Sequence, residues 1–237
     1  MDQFIGCSGF MYKHWIGNFY PPELPQQQWL EYYAARYNTV EINSSFYNLP
    51  RAGTLRRWHS RVPEHFRFTL KGSRYITHLK KLYQAEEGIK RFYDLAALLQ
   101  DKLACVLWQL PPSLHLDVPR LAYFCQLLPR FCCNVIEFRH RSWFTDQVYD
   151  LLRRQGITFC ILAAPNYLTT PPIRTADEIY IRFHGKYNWY SDWFTDEDLG
   201  WWKQQLIATG TTRIYGYFNN DYQGFAPKNA ATFARMF

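Results

Sequence analysis

Two glutamates, Glu41 and Glu137, lie inside the apolar runs Thr39–Asn43 and Asn134–Arg139. Runs of this kind read as β-strands. A carboxylate within one needs a partner, because burying an unpaired charge is costly. Candidate partners end other such runs: Lys71 in Arg67–Lys71, Arg139 after Glu137, and Arg182 with His184 in Glu178–His184. Side chains alternate along a strand, so residues two apart share a face. Glu41 then shares a face with Asn43, Thr69 with Lys71, Leu107 with Gln109, and Glu137 with Arg139. Tyr180, Arg182 and His184 form another set, as do Tyr215, Tyr217 and Asn219. Each polar set falls toward the C-terminal half of its run, and the alternate positions are mostly apolar.

Two carboxylates against three cations leave one positive charge in surplus before His184 is considered. Guanidinium forks fit phosphate or carboxylate, and an ammonium adds a point charge. The expected ligand is therefore a phosphate- or carboxylate-bearing molecule, a nucleotide or nucleic-acid fragment included. Glu137, Glu41 and His184 are the catalytic candidates, as acid and base. Asn43, Tyr47, Lys71, Gln109, Arg139, Trp143, Arg182, Tyr190 and Asn219 are the expected ligand-binding residues. Aromatic residues follow several polar ends: Phe46, Tyr47, Trp143, Tyr187, Trp189 and Tyr190. Their rings could stack a base or sugar, or form a plain hydrophobic collar. A metal would have to use Glu41, Glu137 and His184. Metal sites usually gather such donors without several cations beside them, so neither metal nor cofactor is expected. The competing structural reading is an internal ion-pair network that closes the barrel mouth. It would join Glu137 to Arg139 or Arg182, and Glu41 to Lys71. His140 falls on the opposite parity to Glu137 and reads as structural, whereas His78 falls in a loop.

Such side chains can converge only if the runs bearing them lie side by side. Eight runs qualify: Gln3–Ser8, Thr39–Asn43, Arg67–Lys71, Ala104–Leu110, Asn134–Arg139, Ile157–Leu162, Glu178–His184 and Arg213–Asn219. Helical stretches separate them: Gln26–Tyr37, Leu55–Ser60, Glu86–Gln100, Val118–Leu128, Asp146–Gln155, Asp196–Thr209 and Pro227–Met236. This alternation predicts a parallel sheet covered by helices. Eight repeats of about 30 residues predict closure into a (β/α)8 TIM-type barrel, one α/β domain over residues 1–237. Pro165, Pro171 and Pro172 crowd the sixth connection, where a full helix is not expected. An open doubly wound sheet is the alternative, but no Gly-rich phosphate-binding motif supports it. The chain carries 27 basic and 20 acidic residues, a net charge of +7, which favours anionic partners. Its six cysteines form no C-x-x-C pair. No apolar run approaches the ~20 residues that span a bilayer. The first residues lack a secretory signal pattern, so the cytoplasm is the default location. Oligomeric state is not legible.

Ordered motifs along the chain resemble those of the YecE-like family, the domain of unknown function numbered 72. They include Gly6–Cys7–Ser8–Gly9 with Tyr12 and Trp15, then Glu41–Ile42–Asn43 and Ser45–Phe46–Tyr47. Trp58, Phe66, Phe68, Lys71, Thr77–His78 and Gln109–Leu110–Pro111–Pro112 continue the series. Glu137–Phe138–Arg139–His140, Ser142–Trp143, Arg182, His184–Gly185, Tyr190–Ser191, Phe218–Asn219–Asn220 and Asn229–Ala230 complete it. The resemblance implies a TIM-type barrel and brings no established activity. The chain departs from the family pattern at Cys7 and Phe10, where Thr and Trp are more usual, and lacks an Asp near Ala163–Ala164. The barrel is similar to those of xylose-isomerase-like and endonuclease-IV-like proteins, a likeness of fold that does not fix function. The His, Asp and Glu set of an endonuclease-IV-like enzyme is not visible. Three readings follow: an acid/base enzyme on an anionic substrate, a non-catalytic nucleic-acid-binding protein, and a metal-dependent hydrolase.

Overall fold

The computed structural model of the protein describes residues 1–165 and 168–237. Eight parallel strands close on themselves in chain order. They are β1 (Asp2–Ser8), β2 (Thr39–Ile42), β3 (Arg67–Lys71), β4 (Leu103–Gln109), β5 (Cys133–Glu137), β6 (Thr158–Ala163), β7 (Glu178–Phe183) and β8 (Arg213–Phe218). All start and stop close to their expected bounds. Asn43, Arg139, His184 and Asn219, expected as final strand residues, lie just past the strand ends. The barrel is closed by β1 pairing with β8, with Phe4 opposite Tyr215 and Gly6 opposite Tyr217.

The helices are α1 (Trp29–Ala34), α2 (Ser44–Tyr47), α3 (Ala52–Arg61), α4 (Glu86–Ala96), α5 (Val118–Leu127), α6 (Asp146–Gln155), α7 (Asp196–Ala208) and α8 (Phe225–Arg235). Local chemistry sets their ends. Asp117 and Thr145 accept the third backbone N–H of α5 and α6, and Thr195 with Asp198 forms a reciprocal capping box on α7. Gly156 ends α6 at φ 60°, a left-handed position that glycine occupies without penalty. Three expectations need correction. The stretch Gln26–Tyr37 is a 3-10 turn followed by the short α1. The helix expected through Gln100 stops at Ala96 and continues as a 3-10 segment broken at Gln100. The four-residue α2 was not foreseen. Between β6 and β7 the described residues form no helix, in line with their prolines.

The two strand faces have separate destinies. Val40, Ile42, Phe68, Leu70, Val106, Trp108, Ile136, Ile161, Ile181 and Phe183 pack outward in the layer shared with the helices. Cys105, Leu107, Val135, Cys160, Leu162, Tyr180, Tyr215 and Tyr217 fill the lumen as a second cluster. Glu41, Gln109, Glu137 and Arg182 share the lumen parity and continue that column toward the C-terminal rim.

Gly72 follows Lys71 at that rim. A Cβ there would lie 2.2 Å from Cε3 of Trp108, whose ring is fully buried. Gly72→Ala should therefore cost about 1–3 kcal/mol by overpacking and displace the end of β3. Urea denaturation would measure it, and a variant as stable as the parent would contradict the packing described.

Candidate functional site

Arg182 rises from β7 into the centre of the lumen. Its Nη1 donates to Oε2 of Glu137 at 2.6 Å, and its Nη2 donates to Oε1 of Glu41 at 2.6 Å. All three side chains are essentially inaccessible. The other carboxylate oxygens are taken as well. Tyr180 donates its hydroxyl to Oε2 of Glu41, and Arg139 donates Nε to Oε1 of Glu137. Three strands thus contribute to one closed network, since β2, β5 and β7 carry its ions and Arg139 extends from the end of β5. The pairing Glu41–Lys71 considered from sequence is not made. Glu41 faces Arg182 instead.

Burial by itself would raise the Glu137 carboxyl. Arg139, Arg182 and Lys71 overcome that and hold it down to about 2. Glu137 is therefore a fixed carboxylate with no proton to give. Arg182, though burial opposes its charge, is held more strongly protonated than usual by Glu41 and Glu137.

His184 is fully buried behind Arg139, whose Nη2 lies 3.0 Å from His184 Nε2. A guanidinium can only donate, so Nε2 accepts and the proton of the neutral ring sits on Nδ1. The Asn219 amide lies 3.2 Å from Nδ1. Its nitrogen and oxygen exchange by rotation about the last bond, and this logic turns the oxygen toward His184. Burial, then Arg139, Arg182 and Lys71, push the His184 pKa well below its ordinary value. His184 orients Arg139, with its acceptor lone pair already committed.

Above this layer a cavity of about 350 Å³ opens at the mouth. Lys71, Arg139 and Arg182 line it, together with Asn43, Tyr47, Gln109, Tyr190 and Asn219. Every residue expected to bind ligand is present except Trp143. That ring is fully buried, stacks on Phe138 and donates Nε1 to the Leu114 carbonyl at 2.7 Å. It follows β5 on a 3-10 turn, where strand parity no longer applies. Glu41, Glu137 and His184, the catalytic candidates, lie beneath the cavity and do not line it.

Tyr12 and Asp221 also line the cavity and were not foreseen. Asp221 lies three residues past the end of β8, at helical backbone angles that open a 3-10 turn, where strand parity does not apply. Tyr12 lies in the loop after β1, where no periodicity marks it. Burial raises the Asp221 carboxyl above the ordinary range. Trp189 walls the site from behind, with the Arg139 guanidinium 4.8 Å above its ring.

Lys71 is half-buried and its Nζ lies 4.5 Å from the Phe46 ring centre. Among the described residues it has no carboxylate partner. Burial and the neighbouring Arg182 lower it to about 8. His78 meets the edge of the same Phe46 ring and is pushed down to about 4 by burial and by Lys71. His140 stacks on His115, away from the network.

No group of three or more His, Cys, Asp or Glu among the described residues is arranged to hold a metal ion. The candidate donors Glu41, Glu137 and His184 are committed to Arg182, Tyr180 and Arg139. A larger cavity, about 930 Å³, lies at the opposite end of the barrel. Four of the arginines that line it are engaged locally, Arg213 with Asp2, Arg153 with Asp150, Arg174 with the Gly210 carbonyl and Arg67 with the Glu64 and Phe66 carbonyls. The polar strand ends converge at the mouth, so we take the smaller cavity as the site.

Residues 4–237 match the family described as Protein of unknown function DUF72. The chain belongs to that family. A DUF72 family protein from Thermotoga maritima MSB8 shares the fold with a TM-score of 0.90 and 29% identity, covering 100% of this chain and 99% of that one. A DUF72 family protein from Enterococcus faecalis V583 has the same fold, with a TM-score of 0.83 at 21% identity over 98% and 94% of the two chains. The UPF0759 protein YunF of Bacillus subtilis (strain 168) is 25% identical over 90% of this chain and 87% of its own length. The UPF0759 protein YecE of Escherichia coli (strain K12) is 29% identical over 54% of this chain and 47% of its own. DUF72 membership agrees with what the motifs implied. Among the described residues no helix is long and apolar enough to cross a membrane.

Two stability experiments follow. Glu137→Gln leaves Arg182 and Arg139 short of a countercharge. It should cost about 3–5 kcal/mol and lower Tm on the order of 10 °C. A thermal melt within a degree or two of the parent would show that the network contributes little. The pH dependence has a definite sign. An unfolded histidine takes up a proton as pH falls through about 6.5, whereas folded His184 does not, so stability declines from there downward. His78 adds a decline of the same sign until about pH 4. Glu137, depressed in the folded state, adds a further loss below its unfolded value of about 4.3. Urea melts between pH 7 and 5 should show a slope smaller by up to about 1.4 kcal/mol per pH unit in His184→Gln. Identical slopes would mean that folded His184 protonates normally.

Proposed function

We propose that this DUF72 protein is an enzyme acting on a phosphate- or carboxylate-bearing substrate held in the mouth cavity by Lys71 and Arg139. The observation that carries the reading is the Lys71 ammonium. It faces a cavity also lined by two guanidinium groups, yet none of the described carboxylates pairs with it. An anion brought there gains charge-assisted hydrogen bonds in a partly desolvated place. Arg182 adds support. Its Nε is buried without a hydrogen-bond partner among the described residues, a donor whose need an anion or a bridging water could meet.

The roles differ from those read off the sequence. Glu137 and Glu41 neutralise the two guanidinium groups and fix their planes. The group poised for proton transfer is Lys71, because a lysine at about 8 exchanges its proton near neutrality. Arg139, braced by Glu137, His184 and Trp189, is the anion clamp.

Sulfate tests the site without titrating itself. Its affinity should hold up to about pH 7 and weaken as pH rises through about 8, where Lys71 loses its charge. Lys71→Met should weaken binding roughly tenfold to a hundredfold, one charge-assisted hydrogen bond being worth about 1.5–3 kcal/mol. Lys71→Arg should keep binding at alkaline pH. Calorimetry that finds no sulfate binding at low ionic strength, or binding that ignores both pH and Lys71, would reject the proposal.

A further inference from the structure

A second cavity, about 550 Å³, adjoins the charged one and shares two of its walls, Tyr190 and Asp221. Its remaining surface is of a different kind. Trp189 and Tyr222 supply rings, and His14 and Gln223 supply polar edges. Tyr190 and Tyr222 are 41% and 55% exposed, so the two rings face solvent beside the groove instead of packing into the core. Asp221 stands at the junction, with its Oδ2 3.5 Å from His14 Nε2. Walking outward from the barrel axis, a ligand meets cations, then a carboxylate, then aromatic faces.

The segment that presents these rings is held in a strained shape. Tyr190 has φ 65°, a left-handed conformation that costs a non-glycine residue free energy. Asp192 over-determines it: Oδ2 accepts the backbone N–H of Lys186, Tyr187 and Asn188 at 2.5–2.7 Å. The Tyr190 N–H donates to the His184 carbonyl at 2.6 Å, and the Tyr222 N–H donates to the Tyr190 carbonyl at 3.2 Å. The first of these bonds ties the aromatic platform to the residue that orients Arg139. Strain kept by so many contacts is characteristic of binding surfaces.

We propose that the two cavities form one bipartite site for a phosphorylated sugar bearing a flat ring, the chemistry of a mononucleotide. Lys71 and Arg139 take the phosphate, Asp221 accepts hydrogen bonds from sugar hydroxyls, and the ring lies in the groove between Tyr190 and Tyr222. Gln223, which carries both a donor and an acceptor, lies where the edge of such a ring would end. This assignment rests on the anion-binding reading above and narrows its substrate class.

The experiment compares inorganic phosphate, ribose 5-phosphate, AMP and UMP, and a single-stranded oligonucleotide, by calorimetry at fixed low salt. A nucleotide should bind roughly fivefold to a hundredfold more tightly than ribose 5-phosphate, as stacking one base allows. Tyr222→Ala should erase that advantage, and Asp221→Asn should reduce the advantage of ribose 5-phosphate over phosphate. Equal affinities for nucleotides and ribose 5-phosphate would overturn the bipartite site while leaving anion binding intact. If none of the probes binds, both readings fall. An oligonucleotide that binds far more tightly than either nucleotide would overturn the mononucleotide assignment in favour of a polymer.

Discussion

One guanidinium organises the upper half of this barrel. Arg182 spans the lumen and gives one terminal nitrogen to Glu41 and the other to Glu137, so it ties β7 to β2 and to β5 at once. Buried ion pairs seldom stabilise a fold more than apolar packing would, because desolvation opposes their attraction. What such a network provides is fixed direction. Both oxygens of each glutamate are engaged, by Tyr180 and Arg139 as well as Arg182, and the paired charges cancel. Lys71 is left as the uncancelled cation of that cluster, and Arg139 is aimed by three neighbours. An electrostatic surface prepared before a ligand arrives does not have to reorganise around it.

Alternation was the legible part. Thr69 with Lys71, Glu137 with Arg139, and Tyr180 with Arg182 betray their common face by spacing alone, and the apolar residues between them reveal the helix-packed side. Closure of eight strands follows from the repeat. The pairing inside the lumen was not legible, since parity says which side chains point inward but not which meet across the axis. Glu41 therefore found Arg182 and not Lys71. Parity also lapses at strand ends. Trp143, five residues past Phe138 and beyond the turn at His140, points into the outer layer, and Tyr12 reaches the cavity from an aperiodic loop. Asp221, three residues past β8 at helical backbone angles, is hidden from the same rule for the same reason.

The motif residues that place the chain in DUF72 divide into two kinds. Lys71, Gln109, Arg139, Arg182 and Asn219 surround the mouth cavity. Others hold the frame. A Cβ on Gly6 would lie 2.1 Å from the Thr39 carbonyl oxygen. Asn229 accepts from the Phe194 N–H and from Asn220, fastening α8 to the loop before α7. Cys7 is fully buried, and burial pushes its thiol far above the reactive range. Substitution there alters packing without adding a nucleophile.

Beneath the charged layer, the Tyr217 hydroxyl lies 2.7 Å from the Oγ1 atoms of Thr39 and Thr69. The Thr39 proton goes to the Arg67 carbonyl, so Tyr217 donates to Thr39 and accepts from Thr69. With Leu107, Val135 and Leu162 around it, this knot acts as a stopper across the bore. The molecule is consequently a cup and not a conduit. On the function proposed above, a ligand at Lys71 would depart over the lip it crossed on arrival and would obstruct its successor until it left.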